Sequence, residues 1–139
     1  MPFLEPTEDA GRVLFTRGIA GPVVMLNLLR LRAVADYAAN PDLAPATPIS
    51  GAAAYDLYIA HTLPILRATG GDVIFLGHGG PFFIGPQDEI WDVAMLVRQA
   101  SLADFAAFAG DAAYLAGIGH RTAAICDSRL LPLVQQAVP

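Results

Sequence analysis

Residues 72–99 carry two runs of apolar residues separated by Gly85-Pro86-Gln87-Asp88, the pattern of two strands joined by a turn. In the second run Trp91, Val93, Met95 and Val97 fall on one face, and Asp92, Ala94, Leu96 and Arg98 on the other. Gly77, Gly79, Gly80 and Pro81 interrupt the first run, so a bulge or bend is predicted there. Residues 23–30 form the clearest strand. Both of its alternating faces are apolar, which predicts cover on both sides. Residues 123–131 supply a fourth strand.

Helical patterns fill the spaces between strands. Thr7 followed by Glu8 and Asp9 marks a helix start, and the helix should end near Gly18 or Gly21. Ser50 caps a helix reaching about Thr69. Tyr55, Tyr58, Ile59, Thr62, Leu63 and Leu66 share one face of it, Pro64 should kink it, and Gly70-Gly71 ends it. Ser101 and Asp104 have capping-box spacing ahead of Leu102, Phe105 and Phe108. Gly110-Asp111 breaks that helix and caps another, bearing Tyr114, Leu115 and Ile118. Residues 32–49, with Pro41, Pro45 and Pro48, read as a long loop with a short helix over 33–39.

After the first helix the order is β-α-β-β-α-β, which predicts an α+β, ferredoxin-like fold with a four-stranded antiparallel sheet. One domain covers 1–139, with 1–21 as an N-terminal helical extension. Its helices cover one face of the sheet only. The doubly apolar first strand therefore predicts a homodimer through the other face. Composition points the same way: 55% of residues are hydrophobic and 15% charged, more apolar than an isolated small domain requires.

Charge narrows the function. The net charge is −5, there is no lysine, and the eight arginines are scattered, so no nucleic acid is expected as partner. Schiff-base and P-loop chemistry lack their lysine. Cys126 stands alone, and the three histidines lack metal-ligand spacing, so no metal site and no disulfide are expected. No GxGxxG, P-loop or GxSxG motif occurs, and no cofactor is expected. No apolar run approaches a membrane span, and the first residues lack a signal-peptide pattern; the expectation is a soluble, cytoplasmic protein.

Gly21-Pro-Val-Val-Met-Leu-Asn-Leu-Leu-Arg30, Pro48-Ile-Ser-Gly51 with Tyr55, Gly70-Gly71, and Ile84-Gly-Pro86 ahead of Asp88-Glu89 and Trp91-Asp92 form a combined pattern. With His120-Arg-Thr-Ala-Ala124 and Asp127-Ser-Arg-Leu130, it resembles the domain-of-unknown-function 1330 family over nearly the whole chain. The resemblance implies a dimeric α/β-barrel, in which two ferredoxin-like sheets pack face to face. The wider superfamily includes cofactor-free monooxygenases, isomerases, cyclases and haem-degrading enzymes. The Gly77-His78-Gly79-Gly80-Pro81 segment departs from the family pattern.

Candidate chemistry is sparse. Asn27, polar within an apolar strand, either holds a ligand carbonyl or oxyanion, or is a buried amide satisfied by backbone. His61, near Pro64, is either a general base or a partly exposed helix histidine. Tyr55, Tyr58 and Trp91 line an aromatic-friendly pocket or are plain core. His78 and Arg98 are further substrate-binding candidates. Near the last strand, Cys126, Asp127 and His120 do not make a triad, because adjacent strand residues face opposite sides; an Arg–Asp ion pair at the dimer seam fits better. A small organic ligand between sheet and helices is the leading reading, with cofactor-free isomerase, cyclase or monooxygenase chemistry as its enzyme form. A non-catalytic structural dimer, its interior filled by Tyr55, Tyr58, Phe82, Phe83 and Trp91, is the rival.

Overall fold

The structure, a computed structural model, describes residues 2–139. Helix α1 (Glu8–Phe15) leads into strand β1 (Val23–Leu31), helix α2 (Gly51–Ala68), strands β2 (Asp72–Pro81) and β3 (Ile90–Gln99), helices α3 (Leu102–Ala109) and α4 (Ala112–Ala124), and strand β4 (Ile125–Leu133). The sheet is antiparallel throughout, in the order β2-β3-β1-β4. That is the ferredoxin-like arrangement, with α1 as an addition and the second helix split into α3 and α4.

Local chemistry sets the helix starts. Thr7 Oγ1 accepts from the N–H of Ala10, Ser50 Oγ from Ala53, Ser101 Oγ from Asp104, and Asp111 Oδ1 from Ala113 and Tyr114. Gly70, at φ 85°, takes the left-handed turn that releases α2 into β2. Pro64 lies inside α2, as its position in the sequence requires.

Strand pairing sorts the side chains. Val23, Met25, Asn27 and Leu29 of β1 stand opposite Gln99, Val97, Met95 and Val93 of β3, and this row faces the helices. The core builds on it with Ala54, Tyr55, Tyr58 and Leu66 of α2, Phe108 of α3, and Tyr114 of α4. The reverse face carries Val24, Leu26 and Leu28, flanked by Leu96 and Ala94 on one side and by Leu131 and Leu133 on the other. Among the described residues no element covers that face, and Leu131 remains half exposed.

Four expectations need correction. Residues 33–39 are not helical; a 3-10 turn at Pro41–Leu43 is the helical piece of that loop. Its backbone donors go to distant partners instead, Ala35 to the Ile49 carbonyl and Asp36 to that of Ala123. The irregularity in β2 falls between Val73 and Phe75, whereas residues 77–81 pair in regular register with β3. The hairpin connection spans residues 82–89, longer than the four-residue turn, and Phe83 and Ile84 project from it almost bare. The last strand begins at Ile125, because α4 continues through His120 and Arg121 to Ala124.

Candidate functional site

Between the helix-facing side of the sheet and the helices lies a cavity of about 990 Å³. Its floor is Met25 and Asn27 of β1 with Met95, Val97 and Gln99 of β3. Tyr55, Tyr58, Ile59, Thr62, Leu63 and Leu66 of α2 form one wall, the face that helical spacing marks out. Phe105 and Phe108 of α3 and Tyr114, Ile118 and Arg121 of α4 form the next. The N-terminal extension closes the remaining side through residues 3–6 and through Ala10, Gly11, Leu14 and Phe15 of α1. Ser128, Leu130 and Pro132 of β4 complete the edge.

The extension is tied down by polar contacts with β4 and α4. Phe3 donates its N–H to Asp127 Oδ1 (2.9 Å), and its carbonyl accepts from Ser128 Oγ (2.5 Å). Arg121 donates to the Leu4 carbonyl (2.8 Å) and Arg17 to that of Pro132 (3.1 Å).

Few polar groups line this otherwise apolar space. Asn27 is 8% exposed and spends one of its two amide N–H donors on the Met25 carbonyl at 3.2 Å. Tyr58 and Tyr114 pair hydroxyl to hydroxyl at 3.0 Å. Tyr55 lies against Tyr58, ring centroids 5.3 Å apart, with no hydrogen bond to its own hydroxyl among the described residues. Burial drives the Tyr55 and Tyr58 pKa values far above the usual phenol range; Tyr114 adds to the shift and Arg121 opposes it. Both phenols are therefore neutral donors. Thr62 Oγ1 and Gln99 Oε1 are buried, at 5% and 1% residue exposure, and neither finds a partner.

The sequence candidates separate on this geometry. Asn27, Tyr55 and Tyr58 meet at the cavity. His61 does not reach it: the ring rests on Gly117 of α4, where a Cβ would collide with it, and Nε2 lies 2.6 Å from the Ala113 carbonyl. Trp91 is buried but is absent from the cavity walls; the guanidinium of Arg129 covers it, 4.9 Å from the ring centroid. His78 is exposed on β2 opposite Val93. Arg98 sits on the reverse face of the sheet, opposite Val24 and Asp72. His120 also lies outside, with Nδ1 2.7 Å from the Tyr37 hydroxyl. Without an imidazole on its walls, the cavity offers haem no axial histidine.

The Arg–Asp pair expected near the last strand is Arg129 with Asp127, at 2.7 Å, joined by Glu89 at 3.7 Å. Arg121, Thr62 and Gln99 are site residues that the sequence candidates omit. The signal was there for Arg121: Tyr114, Ile118 and Arg121 follow helical spacing once α4 is extended through residue 121. Among the described residues no three His, Cys, Asp or Glu side chains cluster as metal ligands, and no helix is long and apolar enough to cross a membrane.

Among solved structures the chain is similar to that of RPA0582, a protein of unknown function from Rhodopseudomonas palustris. It is 34% identical, superposes with a TM-score of 0.87, and the match covers 99% of this chain and 100% of that one. The chain belongs to the same family as RPA0582. A structure of methylated RPA0582 gives 33% identity and a TM-score of 0.86, over 98% of this chain and 96% of that one. A dimeric ferredoxin-like protein of unknown function from Thermobifida fusca YX matches at 11% identity and a TM-score of 0.47, over 84% and 92% of the two chains. No family model and no curated protein matches the chain.

Proposed function

We propose that the cavity binds a small, mostly apolar organic molecule, in a homodimeric protein of the domain-of-unknown-function 1330 type. The observation that carries this reading is the cavity itself, about 990 Å³ with largely apolar walls, on which the Tyr55 hydroxyl has no hydrogen-bond partner among the described residues. The volume lies at the upper end of ordinary ligand sites, and apolar walls with a few placed polar groups are their usual make-up.

The rival reading, a dimer with a filled interior, fits less well. Phe82 and Phe83 lie on the hairpin connection and Trp91 lies under Arg129, so none of them occupies this space. Catalysis here would rest on donors. Tyr55 and Tyr58 are held neutral, no histidine lines the cavity, and the one carboxylate on its walls is the exposed Glu5. Cofactor-free isomerase, cyclase or monooxygenase chemistry would then suit a substrate that ionises readily and is steadied by Asn27 and Tyr55.

Titration with the neutral fluorophore N-phenyl-1-naphthylamine tests the binding role. Saturable binding is expected in wild type, with affinity lowered about tenfold or more when Thr62→Phe fills the cavity. Absence of saturable binding, or equal binding by the filled variant, overturns it.

A further inference from the structure

The binding role leaves the chemical class of the ligand open, and one unmatched charge on the cavity wall narrows it. Arg121 is half-buried, and its guanidinium donates to two neutral acceptors, the Leu4 carbonyl at 2.8 Å and Ser128 Oγ at 3.4 Å. Among the described residues no carboxylate lies within 4.0 Å of it. Arg12, Arg67 and Arg129 each have an acidic partner, and Arg129 has two. A guanidinium carries five N–H donors, so Arg121 has donors to spare. Taking a cation out of water without a counter-ion is costly.

The groups around it are also donors. The Tyr55 hydroxyl is neutral and unpaired among the described residues, and Arg121 lies close enough to act on it electrostatically. Strand register places Ser128 opposite Leu29 and Leu130 opposite Asn27, so Asn27 and Ser128 are diagonal neighbours on the helix-facing side. Arg121, Tyr55 and Asn27 therefore converge on one end of the cavity. Away from that end the walls are Val97, Leu63, Leu66 and Phe108. Glu5 is the lone acidic side chain on the lining; it is exposed and pairs with no arginine. Arg129, also at the rim, is already neutralised by Asp127 and Glu89.

We propose that the ligand is an apolar organic monocarboxylate, seated with its carboxylate on Arg121 and Tyr55 beside Asn27 and its body among the aliphatic and aromatic walls. This rests on the binding role proposed above. A guanidinium fork matches a carboxylate with two parallel hydrogen bonds, and a single free cation matches a single negative charge. Phosphorylated or doubly acidic molecules would leave a charge unpaired in apolar surroundings.

The test uses a matched pair, 4-phenylbutyrate and 4-phenylbutyramide, each displacing N-phenyl-1-naphthylamine from the full chain at pH 7. The acid is expected to bind about tenfold or more tightly than the amide in wild type, since hydrogen bonds to charged groups exceed neutral ones. Arg121→Met should erase that preference and Arg121→Lys should keep most of it. Arg121→Met also removes a donor from the Leu4 carbonyl and can loosen the N-terminal segment; the wild-type comparison does not depend on that variant. Equal or tighter binding of the amide in wild type overturns the proposal and leaves the binding role standing. A preference that survives in Arg121→Met overturns it as well. If the fluorophore itself does not bind, the binding role falls and the proposal with it.

Discussion

His120 shows how one half-buried side chain ties stability to pH. Its ring meets Tyr37 edge-on at 5.6 Å between centroids, with Nδ1 2.7 Å from the phenol oxygen. Burial holds its pKa below the usual histidine value, and the nearby His61 pushes the same way. A folded-state pKa below the unfolded one favours the neutral ring in the fold. The stability it contributes is complete above the unfolded pKa of about 6.5 and is lost as pH falls through the folded value. Urea unfolding should therefore give a free energy that declines from pH 7 to pH 5, and His120→Gln should flatten the decline. Equal slopes in the two proteins would show that another group is responsible. At this scale the sequence was half legible. Asn27 is visible as the one polar side chain amid apolar neighbours. Arg121 was hidden because its role depends on where α4 stops, and that boundary is set by tertiary contacts such as Arg32 N–H to the Ala124 carbonyl.

Among the elements, α1 stands apart. It has no fully buried residue, yet four of its residues wall the cavity. Its attachment is a short set of hydrogen bonds at either end, through Phe3, Leu4 and Arg17. Segments with little buried surface open first, and a ligand must pass some movable wall to enter. Amide exchange in α1 is therefore expected to run faster than in β1, and to slow when N-phenyl-1-naphthylamine is bound. Protection in α1 equal to that of β1 in the free protein would assign the entry route to another element. The starts of α1, α2, α3 and α4 were legible because a cap is a local event, an oxygen three residues ahead of an N–H. The absent helix at 33–39, the shifted irregularity in β2 and the late start of β4 were not. Each is decided by partners distant in sequence, as when Asp36 donates to Ala123.

For the whole molecule, the question is what covers the reverse face of the sheet. Val24, Leu26 and Leu28 run down its middle, with Leu96 and Leu131 beside them, and the described residues provide no layer over them. Strand β1 is apolar on both sides, the pattern of a strand with cover on both faces. A second copy of the chain fits, since a two-fold axis lets an aliphatic strip meet itself. The exposed Phe83 and Ile84 of the hairpin connection add apolar surface at the far end of β2. Light scattering at micromolar concentration should give twice the monomer mass, and the thermal midpoint should rise with protein concentration. Leu28→Asp places a carboxylate at the centre of the seam in each copy, and burying two like charges costs several kcal/mol. That variant is expected to run as a monomer with a midpoint independent of concentration. A folded wild-type monomer at micromolar concentration would mean that a different partner covers the face. The cavity lies on the opposite side of the sheet from this strip. Leu28→Asp should for that reason retain affinity for the fluorophore to the extent that it stays folded, which separates assembly from binding in a single variant.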